Sequence, residues 1–225
     1  VFSNDETQMS ALSVDLYWSF RSPFSYLSVC MLKPLLAQYD FTITAKPVYP
    51  LVIRVPDYFQ KADPRFFSYL LKDVERTAQM RGIPFRPAQP DPIIMNKETR
   101  LAAPEQPYIY RLNRIAAAAS KQADIFPLID EVGTLIWSGN TQGWDQGDHL
   151  EQAVARAGFD LQALDAEATR QPDALDAILA QNQDDLEQAG HWGVPTMVFQ
   201  EEPFFGHDRI DLLLWRMKQH GLRAC

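Results

Sequence analysis

Strand patterns occur only at the two ends of this 225-residue chain, and the long middle carries none. At the front, "SVDLYWSF" (13–20) alternates Val14, Leu16, Trp18 and Phe20 on one face and reads as a strand. Between Pro23 and Tyr39 the apolar residues Phe24, Leu27, Leu32, Leu35 and Leu36 recur at helical spacing, with Ser22 at the N-cap and Pro23 at N1, both favoured there. Pro34 falls inside this helix and is expected to kink it. "FTITAKPVY" (41–49) reads as a second strand, and a β-α-β opening calls for a parallel pair. From residue 57 the pattern turns helical. Segments 63–82, 107–122, 124–138, 146–157 and about 160–170 are expected helices, and the proline-dense 83–107 reads as an ordered, wrapping loop. The last fifty residues return to mixed character. A helix is expected at 172–190, a strand at 194–200, a tight turn at Glu201-Glu202, an antiparallel "EPFF" strand, and a closing helix at 207–221.

This order, β-α-β, then helices, then α-β-β-α, is that of an α/β thioredoxin-like fold with a large all-helical insertion. The expected division is a thioredoxin-like domain at 10–56 and 173–225, with an inserted helical domain at 57–172. The formal net charge of −8 and a pI near 5.0 argue against a nucleic-acid partner. No apolar run reaches the roughly 18–20 residues of a membrane span. The polar, acidic start lacks the features of an export signal; it reads as a leader, with Met9 as a candidate native start. Cys30 and Cys225 lie far apart and form no C-x-x-C pair, which points to a reducing, cytoplasmic setting. His149, His191, His207 and His220 have no metal-site spacing, so no metal is expected. The common nucleotide-loop and serine-hydrolase motifs are absent.

In a thioredoxin-type fold the redox cysteines sit where the first strand meets its helix. Here that place holds Ser22-Pro23-Phe24-Ser25, the same spacing with hydroxyls for thiols. Val194-Pro195-Thr196 stands where such folds put a proline, usually cis, ahead of the third strand. An X-Pro bond prefers trans by only about 0.5–1 kcal/mol, so a cis form is within reach.

Four motifs, "SPFSYL" (22–27), "YLLKDVERTAQMRGIPF" (69–85), "GVPTMVF" (193–199) and "FFGHDRIDLL" (204–213), occur in order at plausible distances. With them the chain, from about residue 13 onward, resembles the 2-hydroxychromene-2-carboxylate isomerase family, relatives of kappa-class glutathione transferases and DsbA-like proteins. The resemblance implies a glutathione-dependent enzyme of aromatic catabolism, with Ser22 catalytic. It implies that Ser22, Val194, Pro195, His207 and Asp208 hold glutathione. Val194 would pair by its backbone; the G-x-D-R segment Gly206-His207-Asp208-Arg209 would meet the γ-glutamyl end. His207 stands where the family more often has Asn or Ser. Arg54 and Phe24 are the substrate-binding candidates, Arg54 for the carboxylate of an aromatic substrate, although "RVPDYF" departs from the family pattern. A homodimer is a further expectation.

The chemistry of the motif agrees with that reading. A helix N-terminus carries partial positive charge and unpaired N–H groups. Cysteines so placed have thiol pKa values of roughly 3.5–7.5 against about 8.5 for a free thiol, so a visiting sulfur would feel the same field. A thiolate that adds to a conjugated double bond makes it single, permits rotation, and then leaves. Plainer readings stand beside these. Ser22 and Asp208 are favoured caps, Pro195 suits a strand entry, Arg54 suits a solvated surface, and Ser25 and Cys30 suit structural roles. Competing activities are a kappa-like transferase or peroxidase and a non-catalytic binding protein on the same scaffold.

Overall fold

The computed structural model describes residues 11–96, 98, 99 and 101–225; the expectations about a leader and Met9 lie outside the described residues. The chain runs β1 (Leu12–Trp18), α1 (Pro23–Leu36), β2 (Phe41–Pro47), then α2 (Leu51–Arg54), α3 (Tyr58–Lys61), α4 (Pro64–Arg81), α5 (Ile109–Ser120), α6 (Phe126–Trp137), α7 (His149–Arg156), α8 (Leu161–Arg170) and α9 (Pro172–Gln188). It closes with β3 (Thr196–Phe199), β4 (Glu202–Phe205), a 3-10 turn (His207–Arg209) and α10 (Ile210–Gln219). The four strands form one mixed sheet in the order β2-β1-β3-β4. β1 and β2 are parallel, as the β-α-β opening requires, and β3 returns antiparallel to β1 with Leu16 opposite Met197. This is a thioredoxin-like fold with a helical insertion between β2 and the closing α-β-β-α segment.

The alternation seen in the sequence places Val14, Leu16 and Trp18 in the main core, while Tyr17 faces the other way into a small cluster with Val48 and Leu186. Both faces of the sheet are therefore covered, and α1 buries Ser25, Tyr26, Leu27, Ser28, Val29 and Leu32. Pro34 sits in the last turn of α1, which continues to Leu36 and stops three residues before the expected Tyr39. α4 ends as expected at Gly82, in the left-handed region with φ of 65°. The alanine run Ala116–Ala119 is fully buried, and α5 packs closely on α8 and α9.

Two local expectations change. The β3–β4 turn is built on Gln200 and Glu201, which have φ of 49° and 67°, so Glu202 already pairs with Phe199 and the turn lies one residue earlier than expected. Two residues with positive φ match the twist of a tight hairpin. The short helices α2 and α3 fall in a segment too brief for a periodic pattern.

The main core is continuous from β1, α1 and β2 into α4–α8. We propose that the boundaries 10–56 with 173–225 around 57–172 mark two parts of one cooperative unit.

Candidate active site

Ser22 is the N-cap of α1. Its backbone is extended, with φ −90° and ψ 110°, and its Oγ accepts a hydrogen bond from Ser25 N at 3.1 Å. A cap uses only a lone pair, so the single hydroxyl proton of Ser22 stays available to an acceptor outside. No acidic residue stands in the first turn of α1 to offset the positive helix end. Ser25 is buried, and its Oγ accepts from Ser19 N at 3.4 Å, a long contact that fits its expected structural role. Cys30 is half-buried, and burial pushes its thiol up to about 11. It is a quiet packing residue.

The loop before β3 leads into the strand that pairs with β1, with Thr196 opposite Tyr17. The Val194–Pro195 peptide is cis. Gly206 N donates to the Pro195 carbonyl at 2.9 Å, and Thr196 Oγ1 donates to the Gly193 carbonyl at 2.8 Å. Among the described residues nothing hydrogen-bonds to the Val194 backbone, which leaves a short free edge. His207 stacks on Phe24, with ring centroids 4.8 Å apart and planes 5° from parallel, so the start of the last helix is joined to the first turn of α1. Burial lowers the His207 pKa below 6.5 and favours the neutral ring. Asp208 is exposed and lies 3.4 Å from Arg209. Its Oδ1 folds back over Gly206, where an added Cβ would sit only 2.5 Å away, and Gly206 has φ of 103°. Only glycine fits this corner.

Arg54 ends α2 and is half-buried instead of surface-solvated. Its Nε donates to the Tyr49 carbonyl at 2.7 Å and Nη2 to the Trp192 carbonyl at 2.9 Å, and burial lowers its pKa. The side chain thus ties α2 to the loop that leads into the cis proline. The Phe24–His207 stack and the Gly206–Pro195 bond link the first turn of α1 and the cis-proline loop to the start of the last helix, and Arg54 reaches the same loop through the Trp192 carbonyl.

The sequence reading did not single out three further residues. Trp192 is 54% exposed and stacks on His191 at 4.6 Å, which in turn stacks on Phe205 at 4.0 Å. His191 Nδ1 accepts from Gly193 N at 2.9 Å, so this ladder also shapes the loop before Val194. Arg21 makes a two-pronged bond to Asp91, at 2.9 and 3.1 Å, and lies over Phe59 at 5.7 Å. It clasps the proline-rich loop and α3 against the turn that carries Ser22. From α6, Trp137 Nε1 donates to the Phe20 carbonyl at 2.8 Å. The only sequence signal for Trp192 is its place three residues before Pro195. Arg21 and Trp137 find their partners 70 and 117 residues away, and no local pattern reports such pairs.

Residues 13–218 match the model of the DSBA-like thioredoxin domain. The chain belongs to that family. Among solved structures, this DSBA-like chain is similar to 2-hydroxychromene-2-carboxylate isomerase, with 22% identity over 92% of this chain and 95% of that one and a TM-score of 0.62. It is also similar to a probable DsbA oxidoreductase from Streptomyces coelicolor (14% identity; 92% and 89% covered; TM-score 0.65). A third is the cytosolic disulfide reductase DsbM from Pseudomonas aeruginosa solved with GSH (12% identity; 92% and 100% covered; TM-score 0.59). At these identities the likeness speaks for the fold. No curated protein matches in sequence. Positions 22 and 25 of this DSBA-like chain carry no sulfur, so a dithiol exchange centred on that motif has no reactants. Among the described residues there is no cluster suited to a metal ion and no helix long and apolar enough to cross a membrane.

Proposed function

We propose that the protein is a glutathione-dependent isomerase of a 2-hydroxychromene-2-carboxylate-type aromatic compound, working in the cytoplasm. The observation that carries this reading is the Ser22 hydroxyl. It caps an unneutralised helix end through its lone pair, keeps its proton for an outside acceptor, and stands where relatives that exchange disulfides need a thiol. The donor set fits a tripeptide thiol. The Ser22 O–H and the α1 terminus suit a thiolate. The free Val194 edge suits an extended backbone, and the start of the last helix with the exposed Asp208 suits an amino-acid end bearing a carboxylate and an ammonium. Glutathione, when bound, supplies the sulfur nucleophile whose reversible addition frees rotation about a conjugated double bond. The GSH in the Pseudomonas disulfide reductase supports a tripeptide ligand on this fold.

The other roles belong to the chain's own side chains. Ser22 holds the anionic form of the sulfur by donating to it. Phe24, stacked on His207, walls the ligand end of α1. Trp192 offers an exposed ring face suited to a planar substrate. Arg54 has two donors committed to carbonyls, so a substrate carboxylate would meet only the rest of its guanidinium. That commitment favours, as a second reading, a glutathione transferase whose electrophile needs no carboxylate. A homodimer is the proposed assembly. α4 presents Phe66, Phe67, Tyr69 and Leu71 to solvent, an apolar surface that a second copy would cover.

Titration calorimetry with glutathione tests the shared basis of both readings: no heat of binding at millimolar concentration would remove them. Incubation with a hydroxychromene carboxylate and catalytic glutathione then separates them. Isomerisation leaves the glutathione pool intact, whereas conjugation depletes it.

A further inference from the structure

Beside the start of α1 lies a small, partly open pocket lined by Trp18, Ser19, Ser22, Ser25, Tyr26 and Gly133, among others. The space open to the centre of a water molecule is about 10 Å³, room for about one molecule. Trp18 and Ser19 are 3% and 2% exposed, and among the described residues the buried Trp18 Nε1 and Ser19 Oγ have no hydrogen-bond partner. That two residues lining one water-sized space each carry a buried polar atom without a partner is an unusual conjunction, since leaving such groups unpaired costs on the order of 1–3 kcal/mol each. The groups are also chemically selective. Indole nitrogen only donates, and a hydroxyl donates or accepts, so the cavity suits a small neutral molecule able to do both.

We propose that one ordered water is a built-in member of this site, accepting from Trp18 Nε1, bonding to Ser19 Oγ, and donating to Ser22 Oγ. Its role is to orient Ser22. One lone pair of Ser22 Oγ is taken by Ser25 N. With the second filled by the water, the single hydroxyl proton is left to point outward, towards the place of a bound thiolate. Trp18 and Ser19 are then positioning residues that act through the water. The orienting role rests on the glutathione reading; the presence of the water does not.

A high-resolution crystal structure of the ligand-free protein tests the first part. One solvent peak is expected within about 2.7–3.2 Å of both Trp18 Nε1 and Ser19 Oγ, and a dry cavity overturns the proposal. Trp18→Phe and Ser19→Ala each remove one partner; the second alters so little volume that it guards against a folding failure in the first. In both, the peak should weaken or vanish. The ultraviolet absorbance of the thiolate, followed against pH with glutathione bound, should show the thiol pKa raised by about half a unit to one unit. A peak that persists unchanged, or a thiol pKa that does not move although the peak is lost, sinks the link to Ser22. Should glutathione fail to bind the wild-type protein, the diffraction result still decides whether the water is there.

Discussion

A cap and a catalytic hydroxyl are usually weighed as alternatives, but the geometry of Ser22 is compatible with both. Its Oγ accepts from Ser25 N, as a cap does, and that bond consumes no proton. Ser22→Ala should therefore lower the glutathione-dependent rate ten-fold or more, on the order of 1.4 kcal/mol. Loss of the cap alone should cost roughly 1 kcal/mol of stability, so denaturation and kinetics must be measured together. A variant that is less stable but equally fast would reduce Ser22 to a cap. The place of Ser22 was legible in the sequence because Ser-Pro at a strand-to-helix junction is a local signal. That Trp192 lies open and Arg54 lies half-buried was not, since their surroundings come from segments 138 residues apart.

At the scale of elements, the start of the last helix joins the parts of the proposed site. The 3-10 turn His207–Arg209 reaches α1 through the Phe24–His207 stack and reaches the cis-proline loop through Gly206 N and the Pro195 carbonyl. Gly206 sets the corner. With φ of 103° and Asp208 Oδ1 only 2.5 Å from any added Cβ, Gly206→Ala should strain the backbone by about 1–3 kcal/mol and turn the Asp208 side chain aside. The expected result is a lower denaturation midpoint together with weaker glutathione binding by calorimetry. Unchanged binding would show that the carboxylate plays no part in holding the tripeptide. Of this element the sequence announced the helix and the G-x-D-R spacing. It did not announce that the first three residues wind as a tighter turn, because that depends on what His207 packs against.

Over the whole molecule, the inserted helices back the segment that carries Ser22. Ile129, Gly133 and Trp137 of α6 line the space behind Ser22, and Tyr26 donates to the Pro84 carbonyl at 2.7 Å. The Arg114–Asp176 pair, at 2.7 Å, and the Tyr49–Asp176 bond, also 2.7 Å, tie α5 and the turn after β2 to α9. A core shared in this way should melt once. Calorimetry is expected to show a single unfolding transition, and two resolved transitions would mean that the insertion folds by itself. Trp137→Ala, which empties a buried aromatic site and removes the donor to Phe20, should cost about 3–5 kcal/mol and weaken glutathione binding with it.

Hydrophobic period, caps and turn residues are properties of neighbouring residues, and they settled the order of the strands and longer helices, the helical middle and the helix start at Ser22, but not the short helices α2 and α3. They also settled the lack of sulfur at positions 22 and 25, which bears on any chemistry proposed for the family's site. What lies behind Ser22, what Arg54 spends its donors on, and which aromatic rings stay open to solvent were decided only by folding. Each of those depends on groups brought together across long stretches of chain, where burial and hydrogen-bond geometry, not sequence spacing, choose the partner.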